Sequence, residues 1–318
     1  MDMVNKFIKY LTNERYRFSI DVNLGKYNKW SDEAFLIKRY EYSFGRKLNL
    51  ESPTLFNEKM QWLKLYDRNP LYTKIVDKYR FKEYVSEIVG EGYVFPTLGV
   101  YEKFDDINFE ELPNEFVMKT NHDSGGVIIC RNKQTFNKKA AKKKIDAKLK
   151  RNYYWICREW CYKNVKPLIL IEPYISCKNS FNTDGLVDYK FYCFSGKPLY
   201  VMASFGEAEH RHINHKYDIA YNSIDLQFRK ESLVPANTFP KPKNYEKMVE
   251  IVTKLCVGFP HIRVDLYNID GKIYVGEMTL YSNGGFLNIP IEKDRELGEA
   301  TDLKMAYSSI IDKRKNNK

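Results

Sequence analysis

The feature that most constrains this chain is a pair of alternating apolar runs, Ile262 to Asn268 and Lys272 to Met278, joined through Asp270-Gly271. Asp-Gly between such runs is the strongest short-range hairpin signal, because both central residues tolerate positive φ. Side chains alternate along a strand, so Arg263 and Asp265 share one face. With the turn centred on Asp270-Gly271, position 265 falls opposite 277, within the slack of a small bulge. Asp265 and Glu277 then point to one face with Arg263 beside them. Two carboxylates that close share a proton or hold a cation, since like charges cannot both stay ionised alone. Hard ions such as Mg²⁺ take oxygen ligands, usually one or two carboxylates plus phosphate oxygens. The alternative is a cross-strand Arg–Asp pair on a solvated face.

Two more hairpins precede this one. Phe116-Val117-Met118-Lys119 and Val127-Ile128-Ile129-Cys130 flank a Ser124-Gly125-Gly126 loop, and 187–194 and 198–205 flank Ser195-Gly196-Lys197. A buried strand is expected over 168–175, a short strand over 94–100 and helices over 73–89, 138–151 and 244–257. The first 75 or so residues place Phe35, Tyr40, Phe44, Leu55, Phe56, Met60 and Leu63 at helical spacing, with breaks at Ser52-Pro53 and Asn69-Pro70. Hairpins packed by helices on one side make an α+β body. The expected division is a helical region 1–75, a preceding segment 76–112, a lid subdomain 113–177 and a C-terminal subdomain 178–318 with the metal site.

The chain has 318 residues, 43% hydrophobic and 29% charged, which supplies a full core and excludes a disordered chain. No apolar run is long enough to cross a membrane, and the start reaches charged residues before an apolar run forms, so a cytoplasmic protein is expected. The net charge of +11 favours anionic partners. The six cysteines form no C-x-x-C pair and read as reduced thiols.

Several pieces carry chemistry. Glycines in the Ser124-Gly125-Gly126 loop let backbone N–H groups approach an anion, with Lys119 adding a charge next to it. Lys190 in an apolar strand needs an anionic partner, and Asp188 two residues back is available. Glu172 in Leu168 to Ile175 is costly to bury unless bound to a donor. His210, His212 and His215 lack the spacing of a zinc site and suggest a loop near the substrate, with Arg211 as an anion contact. Tyr281-Ser282-Asn283-Gly284-Gly285 follows the metal hairpin directly and is expected to line the acceptor side of the site. The lysines of 138–151 read as a solvated face or a steering surface for an acidic polymer. No recognised nucleic-acid module surrounds them.

In chain order these pieces resemble the ATP-grasp superfamily, and within it the TupA-like branch of teichuronopeptide and capsule biosynthesis. The likeness runs from about residue 30 to about residue 300. It rests on Thr54-Leu55-Phe56-Asn57-Glu58-Lys59, Asp77-Lys78-Tyr79, Pro96-Thr97-Leu98-Gly99-Val100, Phe116 to His122, Ser124-Gly125-Gly126, Asp188-Tyr189-Lys190-Phe191, Arg263-Val264-Asp265 and Gly276-Glu277-Met278-Thr279. The resemblance implies two α+β subdomains gripping ATP, behind a helical N-terminal layer. It implies Lys78 and Lys119 on the α- and β-phosphates, under a lid of Ser124, Gly125 and Gly126. A hinge strand of Glu172, Pro173, Tyr174 and Ile175 would hold adenine through its backbone. Lys190, with Asp188, would sit at the phosphate tail and Arg263 near the transferred γ-phosphate, with Asp265 and Glu277 on Mg²⁺. Thr279, where the superfamily often has Asn, would be a weaker third metal ligand, and Asp184 is the nearest acid for the ribose. Arg211, His212, Tyr281, Asn283 and Gly284 fall on the substrate side.

The implied reaction activates a carboxylate as an acyl phosphate with ATP and then forms an amide with an amine. The expected acceptor is an acidic saccharide, a uronic-acid sugar of capsular or cell-wall polysaccharide, and the expected amine an amino acid or amine. The alternative is a sugar-nucleotide glycosyltransferase. Against it, the sequence has neither an Asp-x-Asp nor a Rossmann-type loop in convincing context.

Overall fold

Strands β8 (His261–Ile269) and β9 (Lys272–Thr279) pair antiparallel, and Asp265 stands directly opposite Glu277. A register shift between Asp265 and Leu266 takes up the single residue of slack, which keeps both carboxylates in one row. Asp270 (φ 53°) and Gly271 (φ 93°) both adopt the positive φ that so tight a turn requires.

The computed structural model describes residues 3–175, 185–206, 213–226 and 234–307. The larger sheet has the order β7-β6-β5-β8-β9, with β5 (Asp188–Phe194), β6 (Lys197–Phe205) and β7 (Ile213–Asp218). A second, antiparallel sheet has the order β1-β4-β2-β3, from β1 (Gly99–Tyr101), β2 (Phe116–Thr120), β3 (Val127–Cys130) and β4 (Ile169–Pro173). The α+β architecture is as expected.

Each sheet is covered by a helix on one face. α7 (Lys138–Leu149) packs Ala141 and Ile145 against Phe116, Met118, Ile169 and Ile171 of the smaller sheet. Alternation then sends Val117, Lys119, Leu170 and Glu172 to the other face, where the β2–β4 register sets them side by side. α9 (Tyr245–Leu255) buries Met248, Ile251, Val252 and Leu255 in one core with Phe191, Val264 and Leu266 of the larger sheet. Spacings of three and four residues make that stripe a helix face.

The first part of the chain is helical, through α1 (Met3–Thr12), α2 (Glu14–Asn23), α3 (Asp32–Phe44), α4 (Phe56–Tyr66), α5 (Leu71–Val76) and α6 (Phe81–Val89). The Thr54-to-Lys59 motif is a clamp. Asn57 receives the Leu287 amide at 2.7 Å and gives its own amide N–H to Asp294 at 2.9 Å, while Lys59 donates to the carbonyls of Gly298 and Thr301. This ties α4 to the segment after β9 and to α10 (Ile291–Glu299).

Three expectations change. The helix expected over 73–89 breaks between Val76 and Phe81, because the Asp77 carboxylate accepts from the amides of Tyr79 and Arg80 and replaces helical bonds. The run 94–100 divides between two sheets: Val94 bridges Val275, and only Gly99 onward pairs with β4. Pro96, which lacks an N–H, sits in the break. Residues 213–218, expected as a loop, form β7. Among the described residues no helix is long and apolar enough to cross a membrane.

Candidate active site

The register of the larger sheet builds one charged row on the face away from α9. Lys216, Met202, Lys190, Asp265 and Glu277 stand in line on β7, β6, β5, β8 and β9. Lys190 is buried and ion-paired with Asp188, and its Nζ lies 3.7 Å from Asp265 Oδ2. Arg263 Nε and Nη2 grip the two Asp265 oxygens at 2.6 Å each, a bidentate geometry that fixes the carboxylate plane. Burial opposes the Arg263 charge, but Asp265, with Tyr192 and Glu277, outweighs it and holds the guanidinium firmly protonated.

Glu277 completes the row. Its Oε1 accepts from Thr279 Oγ1 at 3.2 Å, so Thr279 orients the carboxylate from the next residue on the same face. Burial pushes the Glu277 carboxyl up, but Lys78, Arg263 and Lys190 outweigh it and hold the group below the usual range. The ionised Glu277 thus faces Asp265 across the strand pair, with Lys190 close to Asp265. Lys216, buried at 2% exposure, was not expected from sequence; its alternating context in His215-Lys216-Tyr217-Asp218 was the available signal.

The glycine loop comes next. Lys78, half-buried just after the break at Asp77, donates to the Asp123 carbonyl at 2.6 Å. Asn121 donates to Asp77 and to the Lys166 carbonyl, and accepts the Leu168 amide at 2.7 Å, so one side chain locks the Lys78 turn to the loop and to β4. Asp123 is held by the Thr120 hydroxyl and by Lys148 Nζ at 3.0 Å. Gly126 admits no side chain, since a Cβ would overlap Thr120 Oγ1 and lie 2.6 Å from Asp123 Oδ1. Gly125 takes φ +75°. Ser124 and Gly125 stay exposed at the tip.

The basic helix has a structural part that sequence reasoning did not assign. Lys148 donates to the Ser124 carbonyl at 2.8 Å and Lys144 to the Val127 carbonyl at 2.7 Å. These two lysines hold the glycine loop against α7.

Glu172 has the donors its burial demands. Lys82 of α6 pairs with it at 2.5 Å and Lys119 of β2 at 2.6 Å. Lys82 also donates to Phe95 O and Thr97 Oγ1. Burial pushes the Lys82 ammonium down, partly offset by Glu172. Lys82 was missed because α6 reads as an ordinary amphipathic helix. Pro173, Tyr174 and Ile175 follow half-buried, with Arg131 stacked over the Tyr174 ring at 5.6 Å.

The turn after β9 differs from expectation. Tyr281 is buried in the core rather than lining an open acceptor side, whereas Asn283 is exposed and, like Gly284, adopts positive φ. The carbonyls of Gly284 and Gly285 take hydrogen bonds from Lys64 and Gln61 of α4. A Cβ on Gly284 would lie 2.7 Å from Cys157 Sγ and 3.5 Å from Glu159 Oε1. Glu159 and Lys64 are both buried, and burial moves them toward neutrality from opposite sides: Glu159 up to about 7, Lys64 down to about 8. Neither was expected from sequence, since a lone Glu or Lys on a short apolar segment carries no motif. Arg211, His212, His210 and Asp184 lie outside the described residues. His215 is on β7, bonded to the Val234 carbonyl and to Ser223 Oγ.

A sheet whose glycine-rich loop is met by Lys78 and whose Glu172 is met by Lys82, together with a second sheet that carries a row of lysines and carboxylates, has the parts of an ATP-grasp enzyme. The chain belongs to the TupA-like ATP-grasp family, whose model matches residues 58–302. It is an ATP-grasp ligase. No curated protein matches it. Among solved structures it is similar to D-alanine–D-alanine ligase from Bacillus anthracis complexed with ATP, at 20% identity, TM-score 0.40, covering 80% of this chain and 72% of that one. The Helicobacter pylori D-alanine–D-alanine ligase gives 15% identity and TM-score 0.41 over 77% of this chain and 69% of that one. The ATP-grasp ligase PsnB, complexed with minimal precursor, Mg and ADP, gives 12% identity and TM-score 0.37 over 89% and 75%.

Proposed function

We propose that this chain joins a carboxylate to an amine at the expense of ATP, acting on an acidic saccharide of capsule or cell-wall biosynthesis. The observation that carries the ligation chemistry is the row Lys190, Asp265 and Glu277, clamped by Arg263 and reached by the charge of Lys78. Phosphoryl transfer needs mainly positioning and charge neutralisation, which is what lysines, an arginine and two carboxylates supply.

In this reading Lys78, Lys119 and Lys190 hold the phosphate tail, with Asp188 keeping Lys190 in place. The amides of Ser124, Gly125 and Gly126 close over it, and the backbone from Glu172 to Ile175 holds the base. Asp265 and Glu277 are hard oxygen donors that fit Mg²⁺, which would neutralise phosphate charge when bound. Among the described residues no cluster of three or more His, Cys, Asp or Glu is gathered, and Asp265 and Glu277 are the carboxylates that would hold the ion. Arg263 meets the γ-phosphoryl group. A substrate carboxylate oxygen attacks the γ-phosphorus, the bond to the β–γ bridging oxygen breaks, and ADP leaves. The amine then attacks the acyl carbon, phosphate leaves, and one proton is lost.

Glu159 is the group we assign to that proton. It is a buried carboxylate beneath the turn after β9, where a Cβ on Gly284 would lie 3.5 Å from its Oε1, and burial pushes it up to about 7 against the opposing charges of Lys64 and Arg39. A base with a pKa near the working pH is the efficient choice. The net charge of +11 and the exposed lysines of α7 support an acidic acceptor.

The test uses hydroxylamine in place of the amine, with Mg²⁺, ATP and a panel of hexuronates, oligouronates and amino acids. Hydroxamate formation with release of one ADP per product is expected with a uronate. ATP turnover with amino acids alone moves the acid substrate to that class. No ADP release with any acid, alongside turnover of a UDP-sugar, contradicts the ligase reading.

A further inference from the structure

The first helix leaves its apolar face in solvent. On α1, Val4, Phe7, Ile8 and Leu11 recur at the spacing of one helix face, yet their exposures are 61%, 64%, 51% and 57%. The side that meets the protein is polar: Tyr10 donates to Asp21 at 2.8 Å and receives Lys26 Nζ at 2.9 Å. A helix of a folded domain normally buries its apolar stripe, whereas α1 leaves its stripe in solvent and meets the protein through Tyr10.

The surroundings are basic. Residues 3–30 carry Lys6, Lys9, Arg15, Arg17, Lys26 and Lys29 against Glu14 and Asp21. Both acids are already engaged, Glu14 by Arg17 at 3.8 Å and Asp21 by Lys26 at 2.7 Å. Lys6, Lys9, Arg15 and Lys29 form no ion pair among the described residues. Arg151, following the basic helix α7, bonds Asn23 at the end of α2 and extends the positive surface.

We propose that α1 docks this enzyme on an anionic lipid surface, lying in the interface with Val4, Phe7, Ile8 and Leu11 immersed and the lysines at the headgroups. A strong apolar face flanked by Lys and Arg is the physical pattern of an interfacial helix. Each basic residue near an anionic leaflet adds to the attraction within a Debye length. A second copy of the chain fits less well. It would bring the same uncompensated lysines against each other. Four side chains on a helix about 15 Å long also cover far less than the roughly 800 Å² per partner of a stable interface.

The experiment is flotation of the full chain with vesicles of phosphatidylcholine alone and of phosphatidylcholine with about a third phosphatidylglycerol. Binding to the anionic vesicles only is expected. It should fall at least about tenfold in Phe7→Ser/Ile8→Ser, and weaken sharply in Lys6→Glu/Lys9→Glu and at about 1 M salt. Lys6, Phe7 and Ile8 are exposed and Lys9 touches the Tyr16 ring, so circular dichroism and melting of the variants should match the parent. Equal binding of parent and variants, or no binding to anionic vesicles, overturns the proposal. So does a concentration-dependent dimer, seen by sedimentation velocity, that the same serine substitutions abolish, because it assigns the stripe to a second copy.

Discussion

Asp265 faces Glu277 directly across the β8–β9 pair, and each carboxylate is held by a different partner: Asp265 by both arms of Arg263, Glu277 by the Thr279 hydroxyl. One carboxylate is rigid and the other is lightly held, on a face that also carries Lys190. In the proposed reading, that asymmetry would offer a bound cation one fixed ligand and one adjustable one.

Asp265→Asn keeps the size of the side chain but removes the charge that Arg263 grips. Breaking a buried ion pair costs about 3–5 kcal/mol, so chemical denaturation should show a loss toward the lower end of that range. ADP release should fall by more than about a hundredfold, since an electrostatic contact in the transition state is worth that much. Glu277→Gln should lose the Mg²⁺ dependence of nucleotide binding with a smaller change in stability. A Glu277→Gln protein with parental Mg²⁺ dependence would contradict the metal assignment.

Gly126→Ala places a methyl against Thr120 and Asp123, both of which anchor the loop. The loop must shift, and the KM for ATP should rise about tenfold while melting changes little, because 1.4 kcal/mol of lost loop energy is a factor of ten. Gly125→Ala strains a residue at φ +75° by roughly 1–2 kcal/mol and should act in the same direction. Steady-state kinetics on the two variants separate this from a general loss of fold.

Glu172→Leu leaves Lys82 and Lys119 facing each other without their shared carboxylate. Stability should fall by about 3–5 kcal/mol. The double change Glu172→Leu/Lys82→Met should recover part of that loss, measured by urea unfolding. Additive losses would show that the pair is not coupled.

His261 is buried against Phe56 and Phe194, and burial lowers its pKa from 6.5 to about 3. Between those values the unfolded chain binds a proton that the folded chain refuses, so stability falls as pH drops from 6.5 toward 3. His261→Phe loses the 2.9 Å bond to Ser282 and should cost about 1–3 kcal/mol at neutral pH. It should also flatten the acid loss. Parallel pH–stability curves for the two proteins would rule His261 out as the source.

The rate of amide formation should have an acid limb near pH 7, where Glu159 loses its proton. Glu159→Gln should abolish that limb and lower kcat by roughly 10²–10⁴-fold, while ADP release in the hydroxylamine assay falls less. An unchanged limb in Glu159→Gln would place the base elsewhere.

The β8–β9 hairpin was legible because period-two alternation and an Asp-Gly turn fix register over a few residues, down to the bulge beside Asp265. Lys190 with Asp188 and the glycine loop were legible for the same reason. Lys82, Lys148 and Lys216 were not. Each joins the site through contacts distant in sequence, and a lysine on a helix or strand looks the same whether it meets water or a buried carboxylate. Glu159 was hidden likewise, since its environment is made by α4 and the turn after β9. Tyr281 was misplaced because proximity in sequence to Glu277 does not decide which way the next turn points its ring. The break at Asp77 turned on one carboxylate capturing two amides, which outweighed helical periodicity over 73–89.

The most direct measurement is the thermal shift of the full chain with Mg²⁺ and ATP, ADP, UDP-glucose or UDP-glucuronate in parallel. A ligand at about 100 times its Kd adds roughly 2.7 kcal/mol to a protein that binds it only when folded. The expected result is a Mg²⁺-dependent shift with the adenine nucleotides that disappears in Lys119→Ala and in Asp265→Asn. A shift with the uridine nucleotides alone, or an adenine shift unchanged in both variants, would contradict the site described for ATP.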